Sequence, residues 1–233
     1  MPFCWFGQAN ATGAVVTEAE LSKLAETAAC VRGVTEALLF TPGTTHDPYL
    51  NDGPPPALAL QIYFDDITTL EAALAGDGPL MALTDLPSLR GATFTQQAML
   101  ARPFAVPDPV FRTAPGAHHC TYLVAYEGTA KDLSAWLSHY LASHTAIMAR
   151  FPGIRQVEVC TRIDWCGALP WQRVDHMQRN KVVFDDADGL TAALNSSVRH
   201  EMRADFARFP AFIGPVSHYP MTTRIVSPIR RPS

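Results

Sequence analysis

Two kinds of hydrophobic pattern alternate along the first hundred residues. β-prone apolar runs occur at Phe3–Gln8, Val34–Phe40, Leu58–Phe64 and Ala92–Leu100. Between the first two, Leu21, Leu24, Ala25 and Ala28 recur at helical spacing. Thr17 stands at the N-cap of that helix, Glu18 and Glu20 fill its first turn, and Arg32-Gly33 ends it. A loop rich in proline and glycine, Thr41–Pro56, follows the second run. After the third run, Asp65-Asp66 begins a turn, and Thr68 or Thr69 starts a second helix reaching Ala75. Leu80–Arg90 reads as irregular or helical. The resulting order is β-α-β-β-α-β, the ferredoxin-like plan.

The second half repeats this order. Ala117–Tyr126 is a strand, and Thr129 caps a long helix from about Ala130 to Arg150 with Leu133, Leu137, Leu141 and Met148 on its apolar side. Gly153 stops it. Strands are predicted at Ile154–Thr161, Val174–Phe184 and Pro215–Ile225. Asp188 caps a helix through Ser196, and a polar helical segment runs from Ser197 to about Phe209.

The two halves also share wording. Residues 64–74 and 184–194 are identical at seven of eleven positions, from Phe64/Phe184, Asp65/Asp185 and Asp66/Asp186 to Leu74/Leu194, at an offset of 120. The same offset aligns Gly33 with Gly153. Such a repeat implies two copies of one unit. The division is residues 1–101, a linker at 102–116 holding Pro103, Pro107, Pro109 and Pro115, a second unit at 117–226, and a fraying tail at 227–233. The fold class is α+β: tandem ferredoxin-like units whose helix-free sheet faces meet, forming an intramolecular α+β barrel with a cavity between the sheets.

Composition narrows the function. Apolar residues make up 48% and charged residues 17%, as in a globular chain. A net charge of −4 without a basic run argues against nucleic acid. No apolar run reaches the length of a membrane span, and no signal peptide is recognisable. Five cysteines without a Cys-x-x-Cys predict reduced thiols and a cytoplasmic location.

Tyr140-Leu141-Ala142-Ser143-His144, followed by Phe151-Pro152-Gly153-Ile154, resembles the helix-and-turn signature of EthD-like proteins, and Val182-Val183-Phe184-Asp185-Asp186 resembles their third strand. That resemblance covers the second unit and implies the dimeric α+β barrel superfamily. In the first unit, Leu24 stands where the offset places His144. The resemblance further implies that a His and a Tyr at such places act on enolisable substrates.

Seven of eight histidines lie beyond the first unit, so the second unit is expected to carry the chemistry. His144 and Tyr140 lie four residues apart, on one side of a helix. His176, Gln178 and Asn180 share one face of the third strand and are expected to line a wet cavity. His218 and Tyr219 point to opposite faces of the last strand; His218 is the preferred candidate and Tyr219 the substitute. Trp165 and Trp171 are candidates for a lid over a planar substrate, or for capping the core. Arg203 is a candidate carboxylate clamp. The Asp65-Asp66 and Asp185-Asp186 pairs recur in both units, which favours a turn and helix cap over catalysis. No metal motif, phosphate loop or nucleophile elbow occurs.

The function expected is a cofactor-free isomerase. It would shift a double bond, tautomerise, or rearrange a lactone or ring in a small unsaturated carboxylate, such as an aromatic ring-cleavage product. The alternatives are an oxygenase or haem-binding member of the same superfamily, and a non-catalytic small-molecule binder. The expected partner is a small-molecule substrate, with a homodimer left open.

Overall fold

The computed structural model describes residues 1–227; positions 228–233, most of the expected tail, lie outside the described residues. The first unit runs β1 (Phe3–Asn10), α1 (Glu18–Cys30), β2 (Val34–Pro42), β3 (Leu58–Phe64), α2 (Ile67–Ala73) and β4 (Thr93–Phe104). Two 3-10 turns, Pro79–Thr84 and Pro87–Leu89, fill the stretch between α2 and β4. The second unit runs β5 (His119–Tyr126), β6 (Thr129–Ala130), α3 (Leu133–His139), a π turn (Tyr140–His144), α4 (Thr145–Met148), β7 (Ile154–Arg162), β8 (Gln172–Arg173), β9 (Gln178–Phe184), α5 (Ala187–Leu194), α6 (Ser197–Phe206), β10 (Phe212–Ile213) and β11 (Val216–Val226).

The repeat has a local physical basis. Asp66 and Asp186 are the N-caps of α2 and α5, accepting from the backbone N–H of Thr69 at 2.7 Å and of Gly189 at 2.8 Å. They displace the expected starts at Thr68 or Thr69 and at Asp188, because a carboxylate two or three residues earlier satisfies the orphan donors. Gly33 and Gly153 both adopt positive φ, 82° and 75°, where a Cβ would be strained. β2 and β7 carry the same register shift at their starts, Val34/Glu36 and Ile154/Gln156. Thr17 caps α1 as expected, and Glu20 completes a capping box with it. Thr129 does not cap the long helix: it pairs with Ile213 in a short ribbon, and Asp132 caps instead, accepting from Ala135 N–H at 2.9 Å.

Eight strands close in the order β1-β3-β2-β11-β5-β9-β7-β4, with β4 returning to β1. The seams between units are β2–β11 and β4–β7, both antiparallel. β4 extends to Phe104, past the expected start of the linker. Pro103 is tolerated there because pairing with β1 ends at Leu100, so its missing N–H leaves no gap in the ladder.

The helix-free faces do meet, but the space between them is not a cavity. Cys4, Phe6, Phe40, Tyr63, Met99, Cys160 and Met221 fill it. An eight-stranded barrel is just narrow enough for side chains to occupy its interior. Lys181, 2% exposed, lies 3.4 Å from Glu158, and Glu158 also accepts from Gln61 at 2.8 Å and Tyr63 at 2.7 Å. This buried ionic group stitches strands of the two units together.

Candidate functional site

The open volume lies elsewhere, between the second unit's sheet and its own helices. It is a cavity of about 310 Å³. Strand alternation supplies one wall: Tyr122, Val124 and Tyr126 from β5, and Asn180, Val182 and Phe184 from β9. Helix periodicity supplies the other: α6 presents Arg199, Met202, Arg203 and Phe206, spaced i, i+3, i+4, i+7. The corresponding space in the first unit is filled. Trp171 stacks on Phe94 at 4.9 Å and lies 5.4 Å from Trp5. A Cβ on Gly7 would come within 2.5 Å of both indoles, so glycine is needed for that packing.

At the inner end of the cavity, the π turn places Tyr140 and His144 with ring centroids 4.8 Å apart. π turns interrupt helices frequently at functional sites. His144 Nδ1 is 2.9 Å from Oδ2 of Asp205, which has no exposed surface. With the carboxylate accepting, Nδ1 carries the proton and Nε2 is left as the basic nitrogen; it has no hydrogen-bond partner among the described residues. Burial lowers the His144 pKa to about 4, against the opposing pull of Asp205, so the ring is neutral at pH 7. Burial raises Asp205, but the hydrogen bonds and charge interactions of His144 and His139 together outweigh it and hold the carboxyl below its usual range. Asn180 donates to the Tyr140 hydroxyl at 2.7 Å, and Tyr126 and Gln178 stand beside that hydroxyl. Burial raises the Tyr140 pKa, so it stays protonated. Trp136 stacks on Tyr140 and Phe209 lies edge-on to His144, which fixes both rings.

The outer end is charged. Asp47, from the β2–β3 loop of the first unit, accepts from Tyr122 OH at 2.5 Å and from Arg199 at 2.8 Å. Asp52 of the same loop bonds His218 Nδ1 at 2.8 Å, and Leu50 lines the cavity. The Arg203 guanidinium lies 4.6 Å from the Tyr49 ring and forms no salt bridge among the described residues.

The structure thus brings together His144, Tyr140, Asn180, His218 and Arg203. It separates the other candidates. His176 precedes β9 rather than lying in it, and its backbone is bonded on both sides to the Gln97 amide of the other unit. Gln178 shares the face of Asn180 but is fully buried below the cavity, with neither amide atom bonded. Tyr219 faces the barrel interior, as expected for the neighbour of an outward His218. Trp171 and Trp165 form no lid; both pack on the first unit's core. Sequence reasoning missed Asp205, Arg199, Asp47 and Asp52. The helical spacing of Arg199, Met202, Arg203 and Phe206 carried a signal that a merely polar segment would not. Asp205 carried none, because its partner lies 61 residues away.

No group of three side chains suited to a metal ion occurs among the described residues, and no helix there is long and apolar enough to cross a membrane.

No family model and no curated protein matches the chain. Solved structures do. An anthrone oxidase-like protein superposes with TM-score 0.62 at 15% identity, over 97% of this chain and 93% of the other. A Fusobacterium nucleatum protein provisionally named a monooxygenase gives 0.60 at 9%, over 97% and 94%. A similarly named protein from Lactobacillus acidophilus gives 0.52 at 11%, over 97% and 96%. The chain therefore shares the fold of these proteins, a closed α+β barrel with both halves in one polypeptide.

Proposed function

We propose that the second-unit cavity is the active site of an oxygenase that works with its own side chains on a planar, mainly apolar molecule bearing an enolisable carbonyl or a phenol. One observation carries the reading: a buried Asp205–His144 pair presents a neutral imidazole to an apolar cavity, beside a buried, protonated tyrosine. His144 Nε2 takes a proton from a methylene next to the carbonyl, and the C–H electron pair moves onto the carbonyl oxygen, where Tyr140 donates. General-base catalysis of this kind contributes ~10²–10⁴-fold. The electron-rich carbon then reacts with dioxygen; one oxygen atom becomes a carbonyl on that carbon and the other leaves as water, so that CH2 and O2 give C=O and H2O. Arg203 meets any carboxylate the substrate carries. The neighbours named as an anthrone oxidase-like protein and as monooxygenases support dioxygen as co-reactant over the isomerase expectation.

The test is a panel of tricyclic ketones and hydroquinones in an oxygen electrode, with the same panel followed by absorbance under argon. Oxygen uptake with label from ¹⁸O2 in the product, abolished by His144→Ala, is the expected result. Turnover under argon without oxygen uptake would return the site to isomerase chemistry. A Soret band in the purified protein would point to haem instead.

A further inference from the structure

We propose that loop 43–57 of the first unit is a latched lid over the second unit's cavity, and that ligands enter when its two carboxylates release the cavity wall. This rests on the reading of the cavity as a ligand site.

The loop joins β2, ending at Pro42, to β3, starting at Leu58, and contains no regular structure. Connections this long inside a compact domain are uncommon and tend to be functional. It belongs to one unit but closes on the other. Thr45 Oγ1 donates to the carbonyl of Ala187 at 3.1 Å, at the start of α5. Asp47 holds Tyr122 and Arg199, and Asp52 holds His218. All three are wall residues of the cavity. Leu50 lines the space beneath, and Tyr49 lies against the Arg203 guanidinium at the mouth.

Between Thr44 and Pro55 the loop's attachment is therefore mainly polar, with Tyr49 edge-on to His200, whereas Gly43 is tied to the Pro220 carbonyl and Pro56 and Ala57 are buried at the start of β3. His46, Pro48 and residues 51–54 are exposed. Such a segment opens locally, well below the free energy of global unfolding. The wall it covers is different: β5 and β9 sit inside the closed barrel with ladders on both sides. The hinges are set by chain chemistry. Gly53 has φ 85°, and Pro54-Pro55-Pro56 stiffens the return to β3.

The experiment compares the full chain with its Asp47→Asn/Asp52→Asn variant, and with Asp52→Asn alone, by hydrogen exchange and by stopped-flow binding of 2-naphthol. In the double variant, exchange of the amides in 43–57 is expected to rise about tenfold with β5 and β9 unchanged, and 2-naphthol to associate about tenfold faster. The single variant gives the same effect, smaller. Unchanged loop exchange in a folded double variant, or faster loop exchange with an unchanged 2-naphthol association rate, would overturn the lid. Faster loop exchange in a protein that takes up no 2-naphthol in any form would support a latched loop and instead overturn the cavity as an active site.

Discussion

Replacing Asp205 by Asn tests the heart of the site with a change of one heavy atom. The native carboxylate accepts from His144 Nδ1 at 2.9 Å, from His139 Nε2 at 3.2 Å, and from Arg208 at 2.9 Å. Arg208 is 69% exposed, so its contact contributes little. An asparagine keeps one acceptor and gains two N–H donors, so one of the two imidazoles must face a donor. If that imidazole is His144, its Nδ1 becomes the acceptor, the proton moves to Nε2, and the base facing the cavity is gone. A hydrogen bond to a charged group is worth about 1.5–3 kcal/mol, so urea unfolding should show a loss of roughly that size. Turnover should fall further, by ~10²–10⁴-fold, because the carboxylate also stabilises the imidazolium formed during proton transfer. Two-bond ¹⁵N–¹H correlation spectra report which ring nitrogen of His144 carries the proton, independently of any substrate. His139→Gln is the control: it removes the other imidazole and leaves the His144 pair intact, so turnover should change less than about threefold. An Asp205→Asn protein whose His144 keeps Nδ1 protonated, with turnover within threefold of native, would refute the orienting role.

The depressed pKa of His144 also sets a pH dependence. The folded value is about 4 and the unfolded one ~6.5, so its contribution is complete above 6.5 and is lost as pH falls from 6.5 through 4. That window corresponds to roughly 3 kcal/mol, and His144→Gln should flatten stability against pH across it, as measured by urea unfolding. Trp171→Ala removes the stack on Phe94 and Trp5 and should cost about 3–5 kcal/mol while leaving turnover near native, because the residue packs on the other unit. Lys181→Met strands the Glu158 carboxylate inside the barrel and should cost about 3–5 kcal/mol; adding Glu158→Gln should restore part of it, as read by denaturant midpoints.

The architecture was legible because it is written in local, repeated signals. Strand alternation, the Asp66 and Asp186 caps and the Gly33 and Gly153 stops each act within a few residues, and the offset of 120 links them. The site was half legible. Tyr140 and His144 show themselves by spacing, and Asn180 by being polar in an apolar strand. His176 looked equivalent two positions earlier in the β7–β9 neighbourhood, but the strand begins only at Gln178. The location of the cavity was not legible, because it depends on which side of the sheet fills first. Phe6, Phe40, Met99 and Met221 close the barrel interior, and that is a matter of radius rather than of pattern. The tryptophans misled for a related reason: the chain that follows β7 crosses back and spends Trp165 and Trp171 on the first unit's core.

That crossing makes the two units unequal. In a barrel built from two identical chains, a substitution that fills one cavity fills both, and a loop that covers one site covers both. Fusion removes the constraint. The first unit has no imidazole there, with Leu24 at the position the offset of 120 pairs with His144, and its helix-side space holds Trp5, Phe94 and a tryptophan from the second unit. Its longest loop then serves the neighbour, sending Asp47, Leu50 and Asp52 across the seam to a cavity otherwise walled by the second unit's sheet and helices. The asymmetry is therefore a division of labour: one half supplies packing and cover, and the other keeps the imidazole, the tyrosine and the open space.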